Sequence, residues 1–159
     1  MAAIELGTNS FVSEFELYEY TVVRLNAVDL LGDSQFNNAL FLATRLIDQL
    51  EFIGQPTDPE QPLQWPRTGV TNRNGQPIAS NVIPGKIKDA NCELAYFLLN
   101  HDITDPVQYR QIYKLSSARV GESESSYRTM KEGPLPDYVM SLLKPYLVEQ
   151  PQYSAKLIP

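Results

Sequence analysis

Cysteine and histidine are almost missing from this chain. Cys92 and His101 are the sole residues of their types, which rules out an intrachain disulfide and any multi-cysteine zinc site within one chain. If both lie on one helix, their separation amounts to about 13 Å along the axis, too far for a Cys-His nucleophile pair. Ala90, Leu94 and Ala95 around Cys92 make it a small buried thiol. His101, at the end of the same apolar run, is placed to complement a helix dipole when protonated.

Long apolar runs are absent too. The densest stretches, Ala39 to Leu46 and Leu94 to Leu99, fall far short of the ~20 residues a membrane span requires. The opening MAAIELGTNS puts no apolar block behind a basic start, so a soluble chain without a secretion signal or a membrane partner is expected.

The signatures of catalysis are equally scarce. There is no HExxH zinc motif, GxGxxG dinucleotide loop, Walker phosphate loop or GxSxG elbow. Glu14, Glu16 and Glu19 share one segment, and Asp58 and Glu60 another. Exposed acids at such spacings form a solvated face, and an acid/base pair would need burial to raise a carboxyl pKa. No enzyme activity, metal or cofactor is expected.

Positive charge is in deficit. Thirteen Lys+Arg stand against 19 Asp+Glu, for a formal charge of -6 and a pI near 4.8. A protein that grips nucleic acid by its phosphates needs a concentrated positive face. Here Lys86 and Lys88 have Asp89 beside them, and Arg110, Lys114 and Arg119 are dispersed.

What is present is a foldable chain. Hydrophobic residues make up 43% of the 159 positions, enough for one core and one domain, and too apolar for wholesale disorder. A short helix is expected from about Ser13 to Arg24, with Ser13 as cap and Glu14 and Glu16 in the first turn. A longer amphipathic helix spans about Asp33 to Leu50, with Phe36, Leu40, Ala43, Ile47 and Leu50 on one face and Arg45, Asp48 and Gln49 largely on the other. Ile83-Pro84-Gly85 opens a third, striped by Ile87, Ala90, Leu94, Phe97 and Leu98. A fourth runs from about Pro136 to Lys144 and is stopped by Pro145.

Between the second and third helices, prolines 56, 59, 62, 66 and 77 and glycines 54, 69 and 75 impose a long loop. Asn74-Gly75 is a strong turn pair, and TNRNGQPI around it can form a small hairpin. Trp65-Pro66-Arg67 is the loop's most distinctive piece: Trp65 either pins the loop to its own core or anchors on a neighbouring subunit. Residues 110 to 130 alternate around Val120-Gly121 but hold few large apolar groups, which suggests a polar hairpin projecting outward. The tail VEQPQYSAKLIP has no helical period and reads as an extended arm. The expected fold is mainly α: a small helical bundle with a projecting β-hairpin, a long Pro/Gly-rich loop and an extended C-terminal arm. Residues 1–147 form one connector-like domain and 148–159 the arm.

In order, GTNSFVS, LATRLIDQLEFIGQ, QPLQWPRTGV, NGQPI, VIPGKIKDANCELAYFLL, RVGESESSY and LLKPYL resemble a phage family often labelled DnaT-like single-stranded-DNA-binding proteins, whose layout is similar to that of head-to-tail connector (adaptor) proteins. The likeness covers roughly residues 7 to 147. Its most specific pieces are Gly7-Thr8-Asn9-Ser10, Ala43-Thr44-Arg45 with Asp48, Trp65-Pro66-Arg67, and Ile83-Pro84 with Glu93-Leu94-Ala95. The sequence departs from the family pattern after Val120-Gly121, where SESS replaces alternating aliphatic residues.

The connector resemblance implies a structural virion protein of the neck region, present in the host cytoplasm during assembly. It implies a dodecameric ring around the DNA channel, with the portal and the neck or tail proteins as partners and DNA passing through the lumen without sequence-specific binding. Contacts with neighbouring subunits or the portal are then expected at Trp65, Pro66, Arg67, Arg119, Glu122, Tyr146, Tyr153 and Leu157. The alternative is a single-stranded-DNA-binding protein in phage replication, for which the net charge has the wrong sign. A small host-directed regulatory protein is also compatible with the composition.

Overall fold

In the computed structural model, residues 3–23, 34–101 and 135–149 are described. Their elements are α1 (Glu14–Val22), α2 (Ser34–Asp48), β1 (Gln55–Pro56), β2 (Arg67–Thr68), α3 (Gly85–Asn100) and α4 (Asp137–Leu143), the last running into a 3-10 turn at Lys144–Tyr146. The architecture is mainly α, as the sequence implies. No helix among these residues is long and apolar enough to cross a membrane.

α1 begins where a reciprocal cap can form. Ser13 Oγ accepts the Glu16 amide at 3.1 Å, and a Glu16 carboxylate oxygen accepts the Ser13 amide at 2.8 Å, so two otherwise orphaned donors are satisfied. In α2 the apolar spacing works as read, burying Phe36, Ala39, Leu40, Ala43 and Ile47 while Arg45 and Gln49 stay exposed.

The central element is α3. It packs against α1, α2 and α4, and Ile87, Ala90, Asn91, Cys92, Glu93, Leu94 and Ala95 are all buried. A helix enclosed on several sides buries polar groups, and each needs a partner. Asn91 Nδ2 donates to Thr44 Oγ1 of α2 at 3.1 Å, and that hydroxyl donates to Leu40 O at 2.9 Å. Glu93 accepts the Tyr20 hydroxyl of α1 at 2.7 Å. Lys88 pairs with Glu16, also of α1. At the far end, His101 Nδ1 lies 3.0 Å from Phe97 O and its ring stacks on Phe97 at 4.3 Å, a role in finishing the helix. α4 contributes Val139 and Leu143 to the same core, which continues through Phe11, Val12, Leu17, Trp65 and Tyr146.

The Pro/Gly-rich loop is more structured than its composition suggests. β1 and β2 form an antiparallel ribbon with Gln55 opposite Thr68 and Pro56 opposite Arg67. The expected Asn74-Gly75 turn is present. Thr71 bridges Pro77, Asn72 N donates to Gln76 O at 2.8 Å, and Gly75 takes the left-handed φ of 76° that this turn requires. The polar hairpin anticipated at 110 to 130 lies outside the described residues, as does the arm beyond Glu149. The arm's first residue is described: Val148 N donates to Glu51 O at 2.9 Å, beside a bridge between Phe52 and Leu147.

Candidate functional site

Four of the residues singled out in the sequence, Trp65, Pro66, Arg67 and Tyr146, come together where the long loop returns to the end of α2 and the close of α4. They face inward. Trp65 is completely buried, its ring edge-on to Phe52 at 5.5 Å and to Tyr146 at 5.7 Å, within the range of favourable aromatic pairs. Its peptide bond to the half-buried Pro66 is cis. Burial raises the Tyr146 phenol above its ordinary value.

Arg67 organises the loop around itself. Nε donates to Ile53 O at 2.8 Å. One terminal nitrogen donates to Gln64 O and Oε1 at 3.2 and 3.1 Å, and the other to Phe52 O and Gly54 O at 3.2 and 2.8 Å. All the N–H donors a guanidinium carries are thereby engaged, and they tie together carbonyls distant in sequence. Desolvation lowers the Arg67 pKa from the ordinary arginine value, and the charge of Asp48 opposes that shift. Asp48 is shifted in the opposite sense: burial raises it, against the Gln64 amide and the Arg67 charge. Asp48 is thus half-buried rather than on the solvent side of α2, because its Oδ1 accepts the Gln64 amide at 2.7 Å. Gln64 Nε2 returns two bonds, to Asp48 O and to Leu50 O.

Trp65, Arg67 and Tyr146, for which contact with a neighbouring subunit or the portal is expected, have their side chains engaged in this chain's own core. Arg119, Glu122, Tyr153 and Leu157 lie outside the described residues. Sequence reasoning missed Gln64, Asn91 and the Glu16 half of the cap. Ser13-x-x-Glu16 carried a readable signal; Gln64 and Asn91 carried none, because their partners are remote in sequence.

No group of three or more His, Cys, Asp or Glu side chains able to hold a metal occurs among the described residues. Cys92 is buried, while Asp58 and Glu60 are exposed, with Asp58 Oδ1 capping the Glu60 amide at 2.9 Å. The described cations are partly committed within the chain. Arg67 is buried, Lys88 is paired with Glu16, and Lys86 lies 3.7 Å from Asp89. Arg45, Arg73 and Lys144 are exposed on three separate segments.

A family model described as "Putative DnaT-like ssDNA binding protein" matches residues 2–158. The chain belongs to this family. No curated protein and no solved structure matches it. Several of the residues that carry the resemblance have partners inside the chain. Asn9 Oδ1 accepts the Glu5 amide and Asn9 Nδ2 donates to Ala3 O, closing the turn before α1. Ser10 Oγ donates to Val12 O. Thr44 holds Asn91, Asp48 holds Gln64, Arg67 holds the loop, and Glu93 holds Tyr20. Arg45, by contrast, is exposed.

Proposed function

We propose that the chain is a non-enzymatic structural subunit of the tailed-phage head-to-tail connector, joining the portal to the neck or tail around the DNA channel. The observation that carries this reading is the disposition of the described cations: Arg67 is buried, Lys88 and Lys86 lie beside carboxylates, and Arg45, Arg73 and Lys144 stand on three separate segments. A single-strand binder needs a continuous positive track with aromatic platforms. A channel subunit needs the reverse, a surface that offers passing phosphates no grip, for which the acidic balance is suited. The resemblance to connector proteins drawn from the sequence segments supplies the rest.

The family description favours a second reading, a single-stranded-DNA-binding protein in phage replication. The two separate on titration of the purified full chain with a labelled single strand at stepped salt concentrations. The connector reading predicts no saturable binding at physiological salt. Binding that weakens steeply as salt rises would instead indicate phosphate contacts and favour the second reading.

A further inference from the structure

α1 is apolar on two faces. Its inner face buries Leu17 and Thr21 against the core, yet Phe15 and Val22 on the outer face are 58% and 46% exposed, with Val23 beyond them at 83%. Phe15, Glu19 and Val22 recur at the spacing that aligns side chains on one side of a helix. A helix that is apolar on both sides is ordinarily enclosed. Its outer stripe has an exposed acid at its centre, Glu19, for which no ion pair exists among the described residues.

The outer side of α2 carries a charge of the opposite sign beside one apolar residue. Asn38, Leu42 and Arg45 form a stripe of the same spacing, continued by Gln49 just past the helix, with Leu42 half-buried and Arg45 exposed and without an ion pair among the described residues. If Glu19 is set against Arg45 with the helices antiparallel, the step of three residues on each brings Val22 over Leu42.

We propose that the outer face of α1 docks on the outer face of α2 of a second copy of this chain, with Glu19 and Arg45 as the charge pair at the centre. Nucleic acid is a poor occupant of this face, because α1 carries no basic residue and Glu19 repels phosphate. The two surfaces belong to different parts of the subunit, so the contact is heterologous: it repeats from copy to copy and either closes into a ring or runs on as a filament. The inference deepens the connector reading and rests on it for its biological meaning.

The test is the self-association of the full chain by sedimentation equilibrium, with thermal melting by circular dichroism to confirm folding. Glu19→Arg and Arg45→Glu are each expected to weaken association roughly tenfold or more, because each places like charges together. The double reversal should return it to within roughly threefold of wild type. Phe15→Ser should weaken it while melting remains cooperative. The proposal is overturned if the single reversals associate like wild type, if the double is no better than the weaker single, or if the wild-type chain stays monomeric at every concentration. The connector reading fails separately: presence of the chain in particles with indifferent charge reversals would retain that reading and discard this interface.

Discussion

Replacing Arg67 removes the donor to several buried carbonyls at once. Arg67→Met leaves Ile53 O, Phe52 O and Gly54 O without their described partner and Asp48 without its opposing charge. It should lower unfolding free energy by about 3 kcal/mol in urea titration. Arg67→Lys should restore only part of this, because an ammonium cannot reproduce the planar fork. The sequence marked Trp65-Pro66-Arg67 as special without revealing its direction: a tryptophan and an arginine anchor a partner by the same chemistry with which they anchor their own loop. Only the return of residues 52 to 54 and of Tyr146 onto the motif decides it, and that return is a tertiary fact.

The Glu16–Lys88 pair has a pH consequence. Burial raises the Glu16 pKa, but the Lys88 bond and charge and the Ser13 bonds outweigh it, so the net shift is below the ordinary 4.5. A carboxylate whose pKa is lowered by folding adds stability above its unfolded value and loses it as pH falls through the folded one. Lys88→Met should therefore melt below wild type at neutral pH, with the gap narrowing once pH drops below 4.5.

At the scale of elements, the two long helices were legible because their apolar spacing is regular, and α1 because its cap is local. The ribbon of β1 and β2 was not: each strand has only two residues, β1 includes a proline, and Gly54 decides the crossing. There φ is 75°, and a Cβ would meet Thr68 O at 2.3 Å. Gly54→Ala should cost about 2–3 kcal/mol, read as a shift in the urea midpoint, because both the backbone strain and the clash must be relieved. The α2–α3 junction allows a cleaner comparison. Thr44→Val strips Asn91 of its hydroxyl partner and should cost about 1–2 kcal/mol, whereas Thr44→Val with Asn91→Leu should recover part of that loss in a double-mutant cycle.

For the whole molecule, the mainly α class and the turn at Asn74-Gly75 followed from pattern alone. The surface that does the work did not, since the residues most distinctive in sequence are those that build the interior. Truncation before Val148 removes one described backbone bond, to Glu51 O, and should leave melting nearly unchanged, while the connector reading predicts that truncated particles fail to join heads to tails. The most direct measurement is quantitative mass spectrometry of purified phage particles, comparing this chain with the portal. The account predicts a fixed ratio near parity. Absence of the chain from mature particles would contradict it and bring the single-strand-binding reading to the front.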